Sequence, residues 1–103
     1  MSIIHITLEN FENEVLASDK PVLLDFFADW CGPCRTLSPV IEEIAREAPD
    51  KKICKINVDE QPELAQRFDV SSIPTLVVVK DGRTVSSSAG VRPKGALLEM
   101  LNV

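Results

Sequence analysis

The chain reads as an α/β layered sandwich: helices on a partly parallel sheet that ends in an antiparallel hairpin. Three observations predict this. Apolar strand-like runs alternate with helical patterns in the order β-α-β-α-β-α-β-β-α. The run "VLLDFFA" (22–28) is apolar almost throughout rather than alternating, as in a strand covered on both faces. Finally, "TLVVVK" (75–80) and "RTVSSS" (83–88) flank Asp81-Gly82, a pair suited to a two-residue type I′ turn. At 103 residues the chain is long enough for one core without metals or multiple disulfides, so a single domain over 1–103 is expected.

The elements follow in order. "IIHIT" (3–7) is a short β-branched stretch, and Asn10 is the expected N-cap of a first helix reaching about Ala17. Phe11 and Val15 share one face of that helix, and "SDKP" (18–21) breaks it. After the covered strand, Leu37, Val40, Ile41, Ile44, Ala45 and Ala48 recur at helical spacing. Glu42, Glu43, Arg46 and Glu47 take the opposite, solvated face. Pro39 is expected to kink this helix and Pro49 to end it. "KICKINV" (52–58) is the next strand, and Pro62 opens a short helix carrying Leu64, Ala65 and Phe68. Pro93 opens a last helix whose Leu97, Leu98 and Leu101 are expected to face inward.

Apolar residues make up 45% and charged residues 26%, as in an ordinary globular protein. A net charge of −5 without a basic run argues against general nucleic-acid binding. No apolar run approaches the roughly 18 residues that a membrane helix needs. "MSIIHITLEN" lacks the charged and apolar regions of a secretory leader, so the cytoplasm is the expected location. Three cysteines in that compartment point to metal or redox chemistry rather than a disulfide framework.

Cys31 and Cys34 fall where the covered strand meets the amphipathic helix. The unpaired N–H groups of a first helical turn, and the positive end of its dipole, stabilise a thiolate. Cys31 is therefore the expected nucleophile and the more exposed sulfur, with Cys34 one turn on as resolver. A structural zinc site wants four ligands, and only Cys54 and His5 remain, at no recognisable spacing. Cys54 reads as a small buried hydrophobe and His5 as structural.

Asp25 sits among Leu23, Leu24, Phe26 and Phe27. Burial there penalises its ionised form and should raise its pKa. A helix folding back over the sheet can bring Cys34 above it, so that Asp25 takes the Cys34 proton. The alternative is a polar residue satisfied by water or backbone.

"ADWCGPC" (28–34) resembles the active-site signature of the thioredoxin family. "KINVDEQPELAQRFDVSSIPTLVVVKDGR" (55–83) is similar to the family's second half, and the resemblance runs from about Ile3 to Leu101. It implies a three-layer thioredoxin fold, with a central mixed five-stranded sheet flanked by four helices. It also implies a monomeric cytosolic protein-disulfide reductase acting on disulfide-containing proteins, with no nucleic-acid or membrane partner. No cofactor or metal would be bound. The redox-active Cys31–Cys34 disulfide would be re-reduced by thioredoxin reductase, a flavoprotein through which NADPH is used indirectly.

Residue by residue, the resemblance implies Asp25 as proton acceptor with Lys55 near it, and a cis peptide bond before Pro74. It implies a substrate groove from Trp30, Gly32, Pro33, Ile73, Pro74, Ala89, Gly90 and Val91. Gly32 and Gly90 would let a partner backbone approach, and a peptide could add beside Pro74 as a strand. Trp30, in a loop beside Cys31, is expected to be exposed. Gly32 and Pro33 put no cation between the cysteines, although Arg35 follows directly. Compared with an isomerase site that has a histidine there, this leaves the dithiol less stabilised and favours reduction of targets. The competing readings are a binding subunit with incidental thiols, or a disulfide isomerase or oxidase. The intact set of Cys31, Cys34, Asp25 and Pro74 disfavours the first. Phe27 stands where many members carry tryptophan, and Ala89 is smaller than the branched residue often found before the glycine; both bear on substrate preference.

Overall fold

The computed structural model describes residues 3–103. Five strands, β1 (Ile4–His5), β2 (Val22–Phe27), β3 (Lys52–Asn57), β4 (Thr75–Lys80) and β5 (Arg83–Ala89), form one mixed sheet in the order β1-β3-β2-β4-β5. A short π-helical turn (Glu12–Leu16) and three α-helices, α1 (Gly32–Glu47), α2 (Pro62–Arg67) and α3 (Lys94–Met100), cover it. The central β2 runs parallel to β3 and antiparallel to β4.

Because side chains alternate along a strand, β2 feeds two cores at once. Leu24 and Phe26 pack with Ile56 and Val77 against Phe11, Val15 and Leu64. Leu23 packs with Ile53, Leu76 and Val78 against Leu37, Ile41 and Ile44 of α1 and Leu97 and Leu101 of α3. Each such buried side chain contributes about 1.5–3 kcal/mol, which is why β2 tolerates almost no polar residue. Asp25 falls in the Leu23 alternation, on the face that α1 covers.

The hairpin forms as expected. Asp81 (φ 53°) and Gly82 (φ 77°) both occupy the left-handed region that a type I′ turn requires, and Lys80 pairs with Arg83. A register shift between Val78 and Val79 then leaves Val85 out of the ladder as a bulge. α1 runs unbroken through Pro39 and closes with the Ala48 N–H on the Ile44 carbonyl at 2.9 Å.

Three local expectations are corrected. Asn10 does not cap the first helix. Its side chain accepts from the Thr7 N–H (2.8 Å) and donates to the His5 carbonyl (3.0 Å), fastening the turn that leaves β1. The helix after it is a single wide turn, in which the Ala17 N–H reaches the Glu12 carbonyl at 2.9 Å. Leu98 is 36% exposed, because α3 points Leu97 and Leu101, one turn apart, at the core. Glu43 and Glu47 are not simply solvated: Lys94 pairs with both and ties α3 to α1. Those hydrogen bonds, Glu47's first, raise the Lys94 pKa.

Candidate active site

β2 ends at Phe27, and Ala28–Trp30 lead directly into α1. Cys31 is the N-cap of that helix, with extended backbone (φ −88°, ψ 110°), and the Cys34 N–H donates to its sulfur at 3.1 Å. This first-turn donor and the helix dipole favour negative charge at Cys31. Cys31 and Cys34 form a disulfide with Cα atoms 5.2 Å apart. The expectation that Cys31 would be the more exposed is corrected, since both cysteines are 4% exposed. Cys31 is packed with Ala28, Phe27, Val58 and Ile73, and its sulfur lies 3.9 Å from the Ile73 carbonyl oxygen. What distinguishes the two sulfurs is their surroundings. Cys34 lines an open cleft of about 410 Å³ with Phe27, Arg35, Ser38, Glu42 and Lys55.

Asp25 is 1% exposed, and its Oδ1 has no hydrogen-bond partner. Burial pushes its pKa up to about 6, with the Lys55 charge pulling it partly back. Asp25 and Lys55 stand directly opposite each other on β2 and β3, and Leu76 faces Asp25 from β4. Lys55 nevertheless makes no ion pair with it among the described residues. Its ammonium donates to Ser38 Oγ at 3.1 Å and lies 4.6 Å from the Phe27 ring centroid.

On the other side of the disulfide, Trp30 is 68% exposed and its indole N–H donates to Asp59 Oδ2 at 2.8 Å. Gly32 and Pro33 are exposed, and a Cβ on Gly32 would meet nothing within 4 Å. The Ile73–Pro74 peptide bond is cis. The Gly90 N–H donates to the Pro74 carbonyl at 2.8 Å, which binds the Ala89-Gly90-Val91 turn to the proline loop. Gly90 has φ +94°, a conformation that an L side chain would strain. A mainly apolar cleft of about 400 Å³ opens beside Trp30 and Ile73, walled by Val58, Ala65, Val70 and Ser72.

Sequence reasoning missed Ser38, Asp59 and the Val58–Val70 wall. Ser38 had a signal, since it lies four residues after Cys34 and so on the same helix face. Among the described residues no group of three or more His, Cys, Asp or Glu side chains could hold a metal. Cys54 is fully buried, and burial first of all pushes its thiol up to about 12, so it stays protonated and unreactive. No helix is long and apolar enough to cross a membrane, among the described residues.

The arrangement supports thiol–disulfide exchange, and comparison with known proteins agrees. The family model described as Thioredoxin matches residues 2–103. Thioredoxin from Bacillus subtilis (strain 168) is 50% identical over 103 residues, covering 99% of this chain and 97% of the relative. Thioredoxin from Mycobacterium bovis is 50% identical over 100 residues, covering 96% and 86% respectively. Thioredoxin from Rickettsia bellii is 44% identical over 99 residues, covering 95% and 94%. A redox-active cysteine pair at a helix N-terminus, on a mixed five-stranded sheet that matches that family over nearly its whole length, makes this chain a thiol–disulfide oxidoreductase that belongs to the thioredoxin family.

Proposed function

We propose that the chain is a general protein-disulfide reductase, a monomeric one-domain dithiol carrier of the cytosol. The Cys31 thiolate attacks one sulfur of a target disulfide, and the other target sulfur leaves as a thiolate that is then protonated. Cys34 gives its proton to Asp25 and attacks the Cys31 sulfur, breaking the mixed disulfide and releasing the second target thiol. Two electrons have then passed to the target and the Cys31–Cys34 disulfide remains. A flavoprotein thioredoxin reductase returns two electrons from NADPH, with two protons, and restores the dithiol.

The observation that carries this reading is an unpartnered, almost fully buried carboxyl on the α1-covered face of β2, near a helix-capping disulfide. A group titrating at about 6 accepts a proton near neutrality more readily than an ordinary aspartate, whose conjugate acid is too strong. Lys55 lends positive charge to the same cleft. Trp30, Gly32, Pro33, Ile73, Pro74, Ala89, Gly90 and Val91 receive the target, whose extended segment runs beside the Ile73–Pro74 backbone.

The test is reduction of a protein disulfide coupled to NADPH oxidation by thioredoxin reductase. Cys31→Ser is expected to be inert, whereas Cys34→Ser is expected to accumulate a covalent mixed disulfide. Full turnover by Cys31→Ser would exclude the assignment.

A further inference from the structure

Lys55 lies directly across from Asp25, yet it points its ammonium elsewhere. Two groups account for this. Ser38 Oγ, on α1 one turn beyond Cys34, accepts from Lys55 Nζ at 3.1 Å. The Phe27 ring lies 4.6 Å from the same nitrogen and supplies a negative π-face. Asp25 Oδ1 meanwhile remains without a partner. A buried carboxyl and an ammonium in adjacent register would otherwise gain from pairing, because their attraction is strong where water is scarce.

We propose that Ser38 is a positioning residue: with the Phe27 ring it holds the Lys55 ammonium off Asp25 and keeps the carboxyl free to take up a proton beside Cys34. The catalytic consequence rests on Asp25 being the proton acceptor proposed above. Ser38 itself touches no reacting atom. Other charges near Asp25 are few. Arg35 and Glu42 reach the cleft mouth from α1 and Asp29 from the preceding loop, while β4 presents Leu76. Arg35 is already committed to the Asp29 carbonyl at 2.7 Å. Lys55 is therefore the one cation whose placement Ser38 controls.

Removing the Ser38 hydroxyl frees a Lys55 donor, and Asp25 Oδ1 is an unsatisfied acceptor opposite the same residue. In oxidised Ser38→Ala the ammonium turns to Asp25 and favours its ionised form. The experiment follows the Asp25 carboxyl carbon by NMR across the acid-to-neutral range in wild type, Ser38→Ala, Ser38→Thr, Lys55→Met and the Ser38→Ala/Lys55→Met double variant. The Asp25 midpoint is expected to fall by about one pH unit in Ser38→Ala, as for a carboxyl that gains a nearby cation. Ser38→Thr, which keeps a hydroxyl, is expected to restore the wild-type midpoint. Lys55→Met is expected to raise it, and in that background Ser38→Ala is expected to do nothing.

An unchanged or raised midpoint in Ser38→Ala would overturn the proposal, as when Lys55 turns to Glu42 or to water. So would an equal shift without Lys55. The pH profile of mixed-disulfide resolution, measured on the same variants, separates the two readings. If the midpoint moves and the profile does not, Asp25 is not the proton acceptor, and Ser38 has no catalytic consequence although it does place Lys55. If the profile tracks Asp25 while Ser38→Ala leaves the midpoint alone, the acceptor stands and the positioning role falls.

Discussion

A carboxyl buried among leucines and phenylalanines links the stability of the fold to pH. Below 3.8 Asp25 is protonated in both the folded and the unfolded chain, and its burial carries no ionic penalty. Between 3.8 and about 6 the unfolded chain has lost this proton and the folded chain keeps it. Folding then takes up a proton, so stability falls as pH rises through that window. Above about 6 both forms are ionised and the penalty levels off, near 3 kcal/mol at about 1.4 kcal/mol per pH unit. Asp25→Asn removes the slope whatever its own fixed cost. Urea unfolding of the oxidised proteins is expected to show the variant gaining on wild type by about 3 kcal/mol from acid to neutral pH. A difference that does not change with pH would mean that Asp25 titrates as an exposed aspartate. The residue was legible in the sequence because a lone acid in an apolar run has few structural explanations. The equal burial of Cys31 and Cys34 was not, since it depends on Val58 and Ile73, which arrive from distant parts of the chain. The same holds for Ser38, whose role appears only once Lys55 crosses over to it.

Elements were readable wherever a single local cause determines them. The β4–β5 turn is one such case, because Asp81-Gly82 can supply two left-handed residues in succession and most pairs cannot. Gly82 carries a second constraint, since a Cβ there would come within 3.3 Å of the Leu16 carbonyl oxygen. Gly82→Ala is therefore expected to lose about 1–2 kcal/mol in urea unfolding, from the left-handed penalty alone. The disulfide-reducing rate should hold under folding conditions, because the turn is remote from Cys31. A neutral result would mean that the turn relaxes to another type. α1 was equally legible, its apolar face set by spacing and its start by the strand that precedes it. Asn10 misled because the same side chain suits a helix cap and a turn. The choice between them was made by the His5 carbonyl and the Thr7 N–H, which β1 places within its reach. Leu98 misled because three leucines in five residues cannot all face one core from a helix.

On the scale of the molecule, the sheet order explains why the chemistry sits where it does. From β2 the chain crosses to β3 on one side, and β4 lies on the other, so the order reverses at the carboxyl end of β2. In open α/β sheets a crevice forms at such a reversal, and here it receives the N-terminus of α1 with Cys31. The family resemblance made this arrangement legible, whereas periodicity alone yields the elements and not their lateral order. The same central strands bind the two cores into one unit. Phe26 and Leu76 belong to opposite faces, yet they stand on β2 and β4, which pair along their length. Neither face can melt without unpairing strands that the other needs. Phe26→Ala is expected to cost about 3–5 kcal/mol and Leu76→Ala about 2–5 kcal/mol, as large-to-small core changes do. Trp30, the single tryptophan, reports the site's end of the molecule by fluorescence, and far-UV circular dichroism reports the whole. In both variants the two signals are expected to move together in one transition. A tryptophan transition that shifted for Leu76→Ala and not for Phe26→Ala would instead mean that the α1 face unfolds as a separate unit, which would contradict the assignment of one domain.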